Sequence, residues 1–189
     1  MEVFWERGYE GTSISDLTAA MAINAPSLYA AFGSKEELFR AAVALYDTLE
    51  GSATERALRE APTARTAVEA MLRDNADIYT DPNKPSGCLI VLGATTWTPH
   101  NKAVRAYLTD LRRQTFEALR GRLERGIADG DLDSSADVDA LAAYFNTVLE
   151  GLSIQARDGT SRETMHAIID CALAGWDTAA SKLASLKLE

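Results

Sequence analysis

The chain has 189 residues, a formal net charge of −9, 47% apolar and 25% charged residues; this excludes disorder as its main state and allows one or two small cored domains. The longest strongly apolar stretch, residues 87–94, falls far short of the ~20 residues a membrane-crossing helix needs, and no signal-like segment opens the chain. Two cysteines, Cys88 and Cys171, make no disulfide framework and point to a reducing cytoplasm.

Frequent Ala and Leu, five prolines and few β-branched runs predict an all-α fold. A first helix ends at Gly8. Thr12 or Ser13 then caps a helix over 14–21, and Asn24 caps a short one over 25–32 with Pro26 in its first turn. Ser34 and Glu37 have the spacing of a capping box, opening a helix that runs to Gly51 or beyond. Pro62 opens the next, to Tyr79. Residues 81–87 are a loop by composition, and an apolar helix follows over 88–97. Pro99 breaks it before a long helix over 101–128. The turn 129–131 leads to a helix that begins between Asp133 and Ser135 and ends near Gly159. Residues 160–163 form a second capping box and open the last helix. The expected architecture is about nine helices: an N-terminal three-helix unit over 1–45 and a larger C-terminal helical bundle over 46–189.

Residues 8–40 read helix, three-residue turn, short helix, capped helix, the geometry of a helix-turn-helix whose second helix enters the DNA major groove. The runs Gly8-Tyr9-Glu10-Gly11-Thr12-Ser13-Ile14-Ser15-Asp16-Leu17, Ile23-Asn24-Ala25-Pro26-Ser27-Leu28-Tyr29-Ala30-Ala31-Phe32 and Ser34-Lys35-Glu36-Glu37-Leu38-Phe39 closely resemble the TetR/AcrR family of transcriptional regulators. The match covers about the first 50 residues, and the run from Tyr29 to Glu36 carries most of it. The resemblance implies that Thr12 and Ser13 hold a backbone phosphate at a helix N-terminus. It places Asn24, Ser27 and Tyr29 on the recognition helix and pairs Lys35 with a second phosphate. Thr12, Asn24 and Ser34 are also plain helix caps, and Tyr29 and Phe32 also suit a small core.

Three departures from the family pattern stand out. Ala22 occupies a turn position where the family usually has Gly, costing ~1 kcal/mol if that residue needs a positive φ. Ala25, Ala30 and Ala31 replace larger polar groups on the recognition helix, leaving base readout to Ser27, Tyr29 and methyl contacts. The chain is also expected to lack a basic arm and part of the first helix ahead of Phe4. Residues 1–50 hold three basic and eight acidic groups, a balance of −5 that is poor for phosphate contact.

In the C-terminal part, Leu141, Phe145, Val148 and Leu152 on one helix and Ile168, Ile169, Ala172 and Trp176 on the next recur at intervals of three and four. Such stripes fit intrachain packing, and equally a four-helix bundle made by two chains. The family resemblance implies a homodimer through these residues. It also implies a ligand cavity, for which the candidates are Met71, Asn75, Tyr79, Leu92, Thr96, Trp97, His100, Tyr107, Phe116 and Asn146, although a filled core would use many of the same side chains. The arginines of 101–128 read as a solvated face, with Arg113 and Glu117 as an i,i+4 pair. Cys88 opens a helix where a dipole favours thiolate, but a small buried residue fits as well.

Two distant histidines and the absence of nucleophile, phosphate-loop or dinucleotide motifs predict no metal, no cofactor and no catalysis. The expected function is a ligand-responsive repressor whose partners are a palindromic operator in double-stranded DNA, a small-molecule effector and a second copy of the chain, with no membrane. The rival is a small-molecule-binding or interaction dimer with little competence for DNA.

Overall fold

The computed structural model describes residues 1–95 and 98–176, and all regular structure among them is helical. Helix α1 (Glu2–Arg7), α2 (Ile14–Met21) and α3 (Ala25–Phe32) form the N-terminal unit, and α4 (Lys35–Tyr46) leads out of it. A five-residue π-helical turn, Asp47–Gly51, joins α4 to α5 (Ser52–Glu60) without a break. Then come α6 (Ala64–Tyr79), the short α7 (Leu89–Leu92), a 3₁₀ turn at Pro99–Asn101, the long α8 (Lys102–Asp129), α9 (Val138–Arg157) and α10 (Arg162–Ala174). Counted with α4 to α5 as one rod, these are nine helices among the described residues.

Local chemistry starts most of these helices where it was expected to. The Ser13 hydroxyl accepts from the Asp16 amide, and the Asp16 carboxylate accepts from the Ser13 amide, a complete capping box. Asn24 caps α3 through the Ser27 amide at 2.8 Å. Ser34 accepts from Glu37 N–H, but the reciprocal bond is absent because the Ser34 amide donates to the Phe32 carbonyl. Three starts shift. Thr63 rather than Pro62 caps α6, Asp137 rather than Asp133 to Ser135 caps α9, and Ser161 rather than Thr160 caps α10. The helix expected over 88–97 shrinks to four residues, since Gly93 turns to give its carbonyl to the Tyr9 amide at 2.8 Å. The π-turn was not foreseen.

One continuous apolar core runs through both units. α6 is its centre, with Val68, Met71 and Leu72 fully enclosed against α5, α8, α9 and α10. The α8 arginines are not a uniform solvated face. Arg112 donates to the Ile90 carbonyl and Arg125 to the Leu58 carbonyl, both at 2.8 Å, while Arg122 is buried near Asp131. Arg113 pairs with Asp110 rather than Glu117.

Ala22 takes the left-handed conformation, φ 54° and ψ 39°, in the turn between α2 and α3. Its amide and that of Ile23 close the end of α2 on Ala19 and Thr18, so the geometry is required by the turn. Ala22→Gly should therefore stabilise the chain by ~1 kcal/mol, raising Tm by about 2–4 °C in thermal denaturation.

Candidate nucleic-acid interface and cavity

The outer face of the N-terminal unit is built from α3 and the ends around it. Leu28 is the inward anchor of α3, fully buried, which turns Ser27, Ala30 and Ala31 outward. Tyr29 is 46% exposed and so is not a core residue. Asn24 uses its Oδ1 as a cap and stays exposed. Lys35, at the first turn of α4, lies half-buried with its ammonium 4.3 Å from the centre of the Tyr9 ring. Burial holds its pKa below the ordinary lysine value, with Glu10 opposing.

Thr12 departs from the expected role. It is 1% exposed, and its hydroxyl donates to the Gly8 carbonyl at 2.7 Å, so that hydroxyl seals the α1–α2 turn and does not point to solvent. Ser13 is exposed, but its amide and hydroxyl are both engaged by Asp16. Asp16 also pairs with Arg7 at 3.0 Å, which holds its carboxyl below the usual aspartate range together with the Ser13 bonds that dominate. The start of α2 thus already carries an internal anion.

In the C-terminal unit a cavity of about 60 Å³ lies between the π-turn, α6, α7, α8 and α9. Of the ten candidates from sequence, Asn75, Tyr79 and Asn146 line it. Asn75 is held by bonds to the Thr54 hydroxyl and Met71 carbonyl, each 2.8 Å. Met71 is solid core, Phe116 packs against the core's edge, and Leu92 faces a groove beside Gly8. His100 is exposed and Tyr107 stacks on the Arg40 guanidinium at 4.5 Å. Thr96 and Trp97 lie outside the described residues.

Sequence periodicity missed the other half of the cavity wall: Tyr46, Asp47 and Thr54 from the α4–α5 rod, and Cys88, Ile90 and Val91 from the 87–92 segment. Only the packing of the α4–α5 rod beside the α7 segment brings them together. Tyr46, Tyr79 and Cys88 line the cavity together. Burial, reinforced by Cys88, pushes both phenols far up, so they remain protonated. The Cys88 amide donates to Ser153 Oγ at 2.8 Å. Among the described residues no group of His, Cys, Asp and Glu could hold a metal ion, and no helix is long and apolar enough to cross a membrane.

The outward face of α9 differs from the stripe read in the sequence. Leu141, Phe145, Leu152, Ile169, Ala172 and Trp176 are all buried within the single chain, and Phe145 packs on Trp176 with ring centres 5.3 Å apart. Val148 and Ile168 are half-exposed. Facing outward instead are Tyr144 at 47% and Ile154 at 48% exposure, with Gly151 between them. A period of 3.6 cannot distinguish a stripe buried by its own chain from one buried by another.

A three-helix unit whose third helix, α3, is capped and exposed, rooted in an all-α unit that holds a cavity, defines the class of helix-turn-helix regulators. Comparison with known proteins agrees. Residues 1–42 match the model of bacterial regulatory proteins of the tetR family, and residues 64–171 match the tetracyclin repressor-like C-terminal domain. The chain belongs to the TetR family of transcriptional regulators. It is 32% identical over 177 residues to the HTH-type transcriptional repressor ComR of Escherichia coli K12, spanning 93% of this chain and 84% of that one. Among solved structures it is similar to a cysteine mutant of the TetR family transcriptional regulator CifR complexed with 26-bp double-strand operator DNA, at 48% identity and TM-score 0.90, covering 93% and 92% of the two chains. A putative TetR transcriptional regulator from Rhodococcus sp. RHA1 is 41% identical with TM-score 0.64, covering 92% and 93%.

If Thr12 serves the turn and not a phosphate, Thr12→Val should lower stability by ~1 kcal/mol, a fall in Tm of about 2–4 °C. The salt dependence of DNA binding should stay as it is. A changed salt slope at unchanged Tm would return Thr12 to the phosphate contacts.

Proposed function

We propose that this chain is a homodimeric, ligand-responsive repressor that leaves a palindromic operator when a small molecule enters the cavity beneath Tyr46 and Cys88. Residues 1–45 read DNA; residues 46–189 dimerise and hold the effector. The observation that carries the proposal is the exposed face of α3, set on a capped turn in a chain 48% identical to a regulator complexed with operator DNA. Ser27, Tyr29, Ala30 and Ala31 present a hydroxyl, a phenol and two methyls to the major groove, a set suited to thymine methyls and a few polar edges. Ser13, Asn24 and Lys35 flank them toward the phosphates. No catalytic role is assigned to the chain.

Two copies meet through Tyr144, Val148, Gly151 and Ile154 on α9 with Ile168 and Cys171 on α10. A Cβ at Gly151 would meet nothing within 4 Å in its own chain, so a second helix can approach there closely. The effector is small. The cavity has room for a few waters, well under the several hundred Å³ of a drug-sized site, so a larger ligand has to push its walls apart. The movable wall is the π-turn, since such turns interrupt the regular helix ladder. Its movement is transmitted directly along α4 to the N-terminal unit.

The −5 balance of residues 1–50 favours a second reading, a ligand-binding dimer with little competence for DNA. A gel-shift series with the DNA beside the chain's own gene, against random duplex, separates the two. Operator preference at moderate salt supports the repressor, and no preference leaves the ligand-binding dimer. Lys35→Ala should weaken binding on every sequence and flatten the slope of log K against log [salt] by about 2 per dimer. Tyr29→Phe should cost ~1 kcal/mol of operator affinity if its hydroxyl holds a phosphate. Ile154→Glu should yield a folded monomer by light scattering, because the charge would be buried at the interface.

A further inference from the structure

Arg157, the last residue of α9, spends its guanidinium on three main-chain carbonyls and on no carboxylate. Nη1 donates to Glu6 at 2.6 Å and Nη2 to Trp5 at 2.8 Å. Nε donates to Ser86 at 3.0 Å. The Trp5 and Glu6 carbonyls belong to the last turn of α1, where a helix leaves its acceptors without intrahelical donors and where its dipole favours a cation. Here the cation comes from a helix 150 residues further along the chain. Ser86 begins the segment that enters the cavity wall at Cys88, and that segment is pinned from both sides. The Trp5 indole donates to the Gly87 carbonyl at 2.8 Å, and Ser153 of α9 accepts from the Cys88 amide at 2.8 Å. Gly87 has φ +77°, and a Cβ there would lie 2.6 Å from the Ser153 carbonyl, so the segment runs directly against the α9 backbone at a point only glycine allows.

We propose that Arg157 is a positioning residue for operator recognition: its three carbonyl bonds set the angle at which the DNA-reading unit sits on α9. This rests on the reading of α9 as the dimer helix. If α9 carries the two-fold contact, then the tie from α9 to α1 decides how far apart the two copies of α3 stand. The required distance is one helical turn of DNA, about 34–36 Å, so a small error in this angle is an error in half-site spacing. The N-terminal unit is also held through α4, whose far end is the π-turn, by the backbone bond from Tyr9 to Gly93, by the Trp5 indole on Gly87 and by Glu10 on Thr98 and Asn101, none of which reaches α9. Arg157 is the only side chain in the described structure that bonds the end of α1 to α9. Burial disfavours its charge, with Glu6 partly restoring it, and the planar guanidinium reaches the three carbonyls from three different nitrogens, a spread that the single nitrogen of an ammonium does not match.

The test compares the full-length chain with Arg157→Met and Arg157→Lys, each first shown to be folded and dimeric by circular dichroism and light scattering. Hydrogen exchange is the first measurement. In Arg157→Met the amides of α1 should exchange faster while those of α6 and α10 do not change, with Arg157→Lys between. The second is binding to the palindrome that the wild-type chain protects in footprinting, to the same palindrome with one base pair inserted at its centre, and to random duplex. Arg157→Met should lose about tenfold on the palindrome and less than twofold on random DNA, as expected when the competent angle is one populated state among several. Its penalty for the inserted base pair should shrink. Unchanged exchange in α1, or an equal loss on all three duplexes, overturns the proposal. If the wild-type chain protects no palindrome, the repressor reading fails by itself, and the exchange result alone then upholds or overturns the positioning role.

Discussion

Trp5 must be buried, and the N-terminal unit is too small to bury it alone. A unit of some forty residues encloses too little apolar surface to stand by itself. Trp5 is 1% exposed because Tyr46, at the far end of α4, meets it edge-on with ring centres 4.7 Å apart. Phe39 of α4 likewise fills the space between Phe4 and Tyr9, at 5.0 and 5.1 Å. The indole N–H, once buried, needs an acceptor, and the Gly87 carbonyl is that acceptor. The N-terminal unit, the rod α4–α5 and the cavity segment are therefore joined through one aromatic cluster and its indole bond.

That joining explains the position of the cavity. Tyr46 packs its ring on Trp5 and also lines the cavity, so one side chain belongs to both the junction and the cavity wall. The π-turn beginning at Asp47 follows at once. It brings Glu50 inward, where its carboxylate meets the Lys84 ammonium at 2.7 Å, and this tie holds the 81–87 loop against the rod. The Lys84 bond to Glu50 lifts the lysine above its ordinary pKa, so its ammonium stays charged at neutral pH. Any widening of the cavity works against these bonds and against the rod that carries the N-terminal unit.

The acidity of the N-terminal unit also has a structural account. Asp16 completes the cap of α2 and pairs with Arg7; Glu36 pairs with Arg40; Glu10 accepts from Asn101 and Thr98. Several of the acidic groups in residues 1–50 are thus spent on caps and junctions, and they do not lie on the outer ridge of α3, which carries no charge at Ser27, Tyr29, Ala30 or Ala31. Net charge counts groups without regard to where they point, so it understates what this face can do.

The short-range features were legible in the chain. Ser13, Asn24 and Ser34 cap as spacing demanded, Ala22 is left-handed as its place in the turn required, and the all-α fold and family followed from runs of neighbouring residues. These depend on contacts three or four positions apart, which sequence encodes directly. Tertiary structure alone decided the rest. It enclosed Phe145 and Trp176 in their own chain and left Tyr144 and Ile154 outside, since a stripe's period carries no record of what covers it. It turned the Thr12 hydroxyl inward to Gly8, assembled the cavity from Tyr46, Tyr79 and Cys88, and placed Arg157 on the end of α1. Apart from the Thr12 bond and the nearness of Tyr79 to Cys88, those contacts join residues more than thirty positions apart, whose meeting depends on how whole helices pack.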